Sequence, residues 1–374
     1  YITFIFLMNL NVIHTYYEYL NTILFSVSIS NHYYPAGDDT PRHVKLIREV
    51  SKSPIVSIVS PTHIHISYPS LFHLAMVPVS NLFAIPITDV LAYYGLLIFI
   101  IGPCLYAYVY ANTVPKSLRL FVAPLLAIVM LGFSVRMLQS LNDGNYPEMT
   151  VDLIIIPLMI YLINKFVETD KTADIYLLAV AVALALNINF IGGTYAMLLY
   201  LLFFIHYAVF NRLKDLRMFL SVMLLITSWI IMGPLRFLGF LMQINKILLH
   251  ILGLSRELGS AMLMNRPITF DWLSKFMFLN ETVLSMFIIV ILVSVVFYAV
   301  MIIKYKTRKL LTLLLINNYV LVLVSLTFVR YLTLRIARYL SYLIPITFLT
   351  DVISMLYHVL RINLRVAYYV EHYH

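Results

Sequence analysis

Apolar runs long enough to cross a hydrocarbon core of about 30 Å as a helix, roughly 20 residues each, recur along this chain. Short polar clusters separate them. The pattern predicts about ten spans, at roughly 4–28, 88–113, 118–137, 149–167, 173–190, 193–210, 217–240, 283–304, 310–329 and 339–360. In lipid the backbone must satisfy its own hydrogen bonds, which leaves helices or a closed barrel. These runs are too continuous for alternating barrel strands, so the expected fold class is all-α, a polytopic transmembrane helical bundle.

Two segments between spans are long, 29–87 and 241–282. In the first, Tyr34-Pro35-Ala36-Gly37 reads as a turn and Thr40-Pro41 as a helix N-cap with proline at the first helical position. Val44, Ile47 and Val50 fall on one side of the following helix, and Arg42, Lys45, Arg48 and Glu49 lie elsewhere. This predicts a short amphipathic helix lying on the membrane surface. The stretch 66–84 is apolar but broken by Pro69, Pro78 and Pro86, and reads as interfacial or re-entrant. No internal repeat or low-complexity linker divides the chain, so 1–374 is expected to be one domain. Tyr1 lies inside an apolar stretch and His374 just after a basic one, which suggests that both ends continue in a longer protein.

Composition agrees with the pattern. Hydrophobic residues make up 62% and charged residues 11%, against about 25% charged in soluble domains. So little charge cannot cover a water-facing surface. The net charge of +9 would suggest nucleic acid in a soluble protein. Here the basic residues fall mainly in loops, so anionic lipid and orientation explain them better, and no nucleic acid is expected as a partner. With the first span ending outside, the short inside loops hold Lys116 and Arg119, Lys165 and Lys171, Arg212, Lys214 and Arg217, then Lys304, Lys306, Arg308 and Lys309, and finally Arg361 and Arg365. Each is basic, as the positive-inside rule requires. Cys104 is the only cysteine, which excludes an intramolecular disulfide and a cysteine metal cluster.

Candidate chemistry gathers on the outer side. Gly37-Asp38-Asp39 with His43 follows the first span. Paired carboxylates at a helix N-terminus can hold a divalent cation such as magnesium or manganese, act as a general base, or simply cap the helix. His63 and His65 alternate along an extended segment and can join Asp38 and Asp39 around a metal, or be hydrogen-bonded loop residues. Asn142-Asp143-Gly144-Asn145-Tyr146-Pro147-Glu148, preceded by Arg136, reads as a glycine turn and helix start with Glu148 in the first turn. The alternative, functional reading is a second acidic site, with Glu148 or Asp143 facing the first loop across an external cavity. Arg330, Arg335 and Arg338 form an outside basic cluster suited either to phosphate recognition or to snorkelling. Within the spans, Asp351 lies about 18 Å along its helix from Tyr339, at 1.5 Å per residue. A carboxyl at that depth is a functional candidate by default, or a protonated or hydrogen-bonded packing residue. Glu18 is similar but nearer an interface.

The order of these motifs resembles the polytopic membrane glycosyltransferases of the GT-C fold. The outside Gly-Asp-Asp…His, the amphipathic helix, Tyr68-Pro69-Ser70-Leu71-Phe72-His73, Tyr146-Pro147-Glu148 and the late Arg338-Tyr339-Leu340-Ser341-Tyr342-Leu343-Ile344-Pro345 carry the likeness. It implies transfer of a sugar from a polyprenyl-phosphate-linked donor on the outer or lumenal face. The membrane would be the plasma membrane of a prokaryote or the endoplasmic reticulum. Asp38 or Asp39 would be the catalytic acid of the first loop, and Asp39 the general base. Arg338, helped by Arg335 or Arg330, would balance the lipid phosphate. Glu148 and Asp143 are similar in location to the second acidic motif of oligosaccharyltransferase catalytic subunits, whose Trp-Trp-Asp signature is absent here. A polytopic transporter or lipid flippase working through Asp351 and Glu18, and a catalytically silent scaffold of the same fold, are the competing expectations.

Overall fold

The computed structural model describes residues 39–52, 71–112, 116–133, 135–211, 216–233, 281–305 and 343–360, with the single positions 114, 237 and 274. All regular structure among them is helical. In chain order the helices are α1 (Asp39–Lys52), α2 (Leu71–Phe83), α3 (Ile87–Ala111), α4 (Lys116–Phe133) and α5 (Val135–Asp143). Next come α6 (Tyr146–Thr169), α7 (Thr172–Ile188), α8 (Phe190–Asn211), α9 (Leu216–Met232), α10 (Glu281–Tyr305) and α11 (Leu343–Leu360). Of these, α3, α6, α10 and α11 are long and apolar enough to cross a membrane. Helices α2, α4, α7, α8 and α9 are apolar but carry shorter hydrophobic stretches. The expected spans 4–28 and 310–329 lie outside the described residues, as do most of 241–282 and Glu18.

The outer faces are apolar, as lipid demands. Leu97 and Ile100 on α3, Ile128 on α4, Ile231 on α9 and Val296 and Ile303 on α10 are all exposed. The several long apolar helices are consistent with an integral membrane protein.

The centre of the bundle is the seam between α3 and α6. Gly95 and Gly102 stand seven residues apart, two turns of one helical face, and both meet α6. A Cβ on Gly95 would fall 2.5 Å from Cε1 of Tyr146, and one on Gly102 would fall 2.6 Å from Cβ of Leu153. Tyr94 bonds the Thr150 hydroxyl at 2.8 Å, and the Tyr106 hydroxyl donates to the Asp152 carbonyl at 2.7 Å. That carbonyl lies in a stretch of α6, Val151–Ile155, wound as a π-helix. Such a turn widens the hydrogen-bond ladder, and Tyr106 supplies a donor there. Since 94–95 meets 146–150, 102 meets 153 and Tyr108 meets Tyr161, the two helices run parallel. Helix α4 packs back on α3, α7 on α6, and α8 and α9 on α7.

The parallel seam defines two ends. One holds the basic residues of 112–119, 165–174 and Arg217. There Arg119 donates to the carbonyls of Asn112 and Val114, Lys165 pairs with Asp174 at 3.2 Å, and Arg217 pairs with Asp170 at 3.3 Å. The other end holds the start of α6 and the whole of α1.

Helix α1 corrects the reading of a helix lying on the membrane surface. Its stripe of Thr40, His43, Val44, Ile47 and Val50 is buried and packs on α2 and α3. An apolar stripe demands any apolar partner, and Phe72 and Met76 of α2 supply one within the protein. Nor does the helix start after Thr40. It includes Asp39, so Thr40 and Pro41 lie inside the first turn, where a missing N–H is tolerated. Helix α2, about 20 Å long at 1.5 Å per residue, is too short to cross a membrane.

Substituting Gly102 by alanine is expected to force α3 and α6 apart and destabilise the protein by about 1–3 kcal/mol, the usual range for overpacking. Leu97→Ala on the exposed face should stay within about 0.5 kcal/mol. Thermal unfolding of the two variants in one detergent gives the comparison.

Candidate functional site

The end of the bundle carrying α1 concentrates buried polar groups. The Gly144 turn makes this possible. With φ at +78° it adopts the left-handed region that suits glycine. A Cβ there would overlap the Thr40 hydroxyl and stand 3.0 Å from the Thr40 backbone nitrogen. Thus α1 is docked onto the turn that launches α6, and the side chains of Thr40 and Tyr146 meet. Pro147 occupies the first turn of α6, where its fixed φ is pre-organised for a helix. Glu148 follows, buried in that same first turn.

Below Thr40 on the same stripe, His43 Nδ1 lies 2.9 Å from Nε2 of His73 on α2, and both rings are buried. One nitrogen donates its proton to the other, so the pair is joined as neutral imidazoles. Tyr146 and Phe72 close over His43, with ring centroids at 6.3 and 6.2 Å. Burial, reinforced by the charge of Arg42, pushes the His43 pKa down from 6.5 to about 4. Only when both rings are protonated does N–H face N–H in this closed pocket.

Of the sequence candidates, the fold brings Asp39 and His43 on α1 to the same end as Asp143 and Glu148. Glu148 lies in the first turn of α6, as the glycine turn and helix start read from the sequence expected, with Pro147 ahead of it in the same turn. Asp143 closes α5 and is half-buried; Arg136 lies in α5, and its side chain is outside the described residues. Asp38, His63, His65, Arg330, Arg335 and Arg338 are also outside the described residues. Among the described residues, no group of three or more His, Cys, Asp or Glu side chains gathers to hold a metal.

Three residues enter this end of the bundle that the candidate set lacked. His73 is the partner of His43, Thr40 contacts the turn, and Asp152 is buried one helical turn below Glu148. A signal existed for His73 and Asp152. His43 shares the apolar stripe of Val44, Ile47 and Val50, so its ring had to be buried and partnered. Asp152 stands inside an apolar span, where an acid is a candidate by default.

No protein-family model matches this chain, and no curated protein matches it in sequence.

Two outcomes follow from the geometry. Because the unfolded chain binds a proton on His43 below 6.5 and the folded one does so only below about 4, stability is full above 6.5. It falls as pH drops through that window, by at most about 3 kcal/mol. Hydrogen exchange of 39–52, corrected for the intrinsic pH dependence, should show α1 loosening between those values, and His43→Phe should flatten the profile. Gly144→Ala should loosen the same segment at neutral pH and lower stability by about 1–3 kcal/mol through its strained φ and the Thr40 overlap.

Proposed function

We propose that this chain is a multi-pass membrane glycosyltransferase of the GT-C type, with about ten spans, moving a sugar from a polyprenyl-phosphate-linked donor to an acceptor on the outer or lumenal face. The observation that supports this reading is the docking of α1 onto the Gly144 turn, which gathers Asp39, His43, Asp143 and Glu148 at the end opposite the basic one. By the positive-inside rule the basic end faces the cytoplasm, so the acidic end faces out.

In this reading the Asp39 carboxylate takes the proton of the acceptor hydroxyl as that oxygen bonds to the anomeric carbon. The bond from that carbon to the phosphate oxygen breaks, and its electron pair leaves on the lipid phosphate. Arg338, with Arg335 and Arg330, balances the added charge. Glu148, within the first turn of α6, orients the acceptor from the side of the bundle. Asp38 precedes the base, and a magnesium or manganese ion would be held there with Asp39.

A second reading, a transporter or lipid flippase, is favoured by the fully buried Asp351 in α11, because carrier sites lie near the midplane. The two separate in one assay. The protein is reconstituted in vesicles with a polyprenyl-phosphate hexose and a mixture of hydroxyl acceptors. Asp39→Asn is expected to lower transfer by about 10²–10⁴-fold, the usual weight of a general base, with unchanged thermal unfolding, and Glu148→Gln to raise the acceptor KM. Transfer that survives Asp39→Asn overturns the assignment of the base. An absence of transfer, together with lipid or solute movement that Asp351→Ala abolishes, replaces the enzyme with the carrier. Absence of both identifies a silent scaffold.

A further inference from the structure

Helix α1 has a second face. Opposite its buried stripe it carries Arg42, Lys45, Arg48 and Lys52, all exposed. Steps of three, three and four residues keep the four on one side of a helix, over about 15 Å of its length at 1.5 Å per residue. The acids of the helix are Asp39 in the first turn and the half-buried Glu49, so its exposed face stays positive. The end of the bundle that buries Glu148 and Asp152 is therefore basic on its outside.

The height of this face follows from packing contacts. Along α3 the exposed tyrosines Tyr93 and Tyr108 are about 22 Å apart at 1.5 Å per residue, and Leu97, Ile100 and Ile101 between them are exposed and apolar. Tyrosines at the two ends of a lipid-facing stretch mark the membrane interfaces. Gly95, two residues on from Tyr93, holds Tyr146, and Tyr146 meets Thr40 and His43 of α1. The first turn of α1 is thus level with the interface at Tyr93. Exposed Lys and Arg side chains avoid hydrocarbon, so the basic face lies at headgroup depth. Just before α3, Leu82 and Phe83 of α2 are also exposed. An apolar anchor and a basic face occur together at this interface, the two signals that surface binding requires.

We propose that α1 is a binding surface for anionic lipid headgroups, with Lys45, Arg48 and Lys52 facing the phosphates of the leaflet that meets Tyr93. Charge complementarity and height select this occupant, because a row of cations at headgroup depth meets phosphate before it meets anything dissolved. Each Lys or Arg near an anionic leaflet adds attraction, and the planar guanidinium of Arg48 suits two phosphate oxygens at once. The buried stripe holds α1 against α2 and α3, so the basic face keeps one orientation. Lipid charge then steadies the cap over the His43–His73 pair. The surface is independent of the glycosyl-transfer reading.

Ser51 is exposed near Arg48, to whose carbonyl it donates, and offers a place for a fluorophore. The full chain carrying Cys104→Ala and Ser51→Cys is labelled there and placed in nanodiscs of phosphatidylcholine and phosphatidylglycerol. A nitroxide is attached to the headgroup of one lipid or the other. At equal nitroxide content, the label is expected to be quenched at least about fivefold more strongly by phosphatidylglycerol, the weight of one engaged charge at about 1 kcal/mol. Lys45→Gln, Arg48→Gln and Lys52→Gln together should bring the two lipids to parity. Raised salt should do the same to the parent chain, and this carries the test should the triple variant fold poorly. Quenching by neither lipid places α1 clear of the membrane, and equal quenching of the parent by both denies selectivity for charge. Relief by inorganic phosphate at constant ionic strength assigns the face to a soluble anion, and a preference that survives both the triple substitution and salt assigns it to other residues. Each of these four results overturns the proposal.

Discussion

The close approach of α3 to α6 is the constraint on which the rest of this structure depends. Two glycines one heptad apart remove the side chains that would hold the helices apart, and Tyr146 and Leu153 fill the space. In a lipid environment this matters more than in water, because lipid tails are as apolar as leucine and helices gain little by hiding apolar surface from them. Close backbone packing and interhelical hydrogen bonds are what remain. Both occur at this seam, the second through Tyr94 and Tyr106. The seam fixes the height of Tyr146, and with it the turn at Gly144. That turn is the platform for α1.

A second rule runs through the interior. Hydroxyls in apolar helices tend to bond back to a carbonyl three or four residues earlier, and this uses their single proton. What is left is an acceptor, which a neighbouring helix can meet with a donor. Tyr94 to Thr150 joins α3 with α6, and Tyr200 to Ser221 joins α8 with α9. The bundle is thus cross-linked by tyrosines whose hydroxyls have a defined direction.

Helix positions were legible in the apolar runs. Expected limits of 88–113 and 283–304 correspond to Ile87–Ala111 and Glu281–Tyr305, both long and apolar enough to cross a membrane, and 173–190 to the shorter apolar helix Thr172–Ile188. The start of α6 was legible as well, since the Gly144 turn followed by Tyr146-Pro147-Glu148 reads as a helix start with Glu148 in the first turn, and the helix begins at Tyr146. The amphipathic stripe of α1 was legible too, yet a stripe does not say what covers it, and the contact of Thr40 with Gly144 joins segments far apart in sequence. A glycine in a turn invites the reading of a left-handed residue; that its missing side chain also seats another helix follows only from the fold. For Asp351, the depth was readable from position in its span, but its partners on α10 were not, since serine and tyrosine are ordinary residues of an apolar helix.

The two ends of the bundle differ in how they treat polar groups, and the difference bears on where chemistry occurs. At the basic end, Lys165, Arg217 and Arg119 lie at the surface and are held by aspartates or by terminal carbonyls. Such pairs contribute little to stability and are explained by anchoring and orientation. At the other end, Glu148, Asp152, His43 and His73 are buried, the His43 pKa is depressed, and the turn beneath them needs a positive φ. Burial of that many titratable side chains opposes folding unless each is bonded, and apolar residues would have stabilised the same positions more simply. Asp174 at the basic end is also buried, but there it is paired with Lys165; the depressed His43 pKa marks the other end as the place where a site is expected. On this ground, and independently of any resemblance, the end formed by α1, α2 and the start of α6 is the candidate functional site.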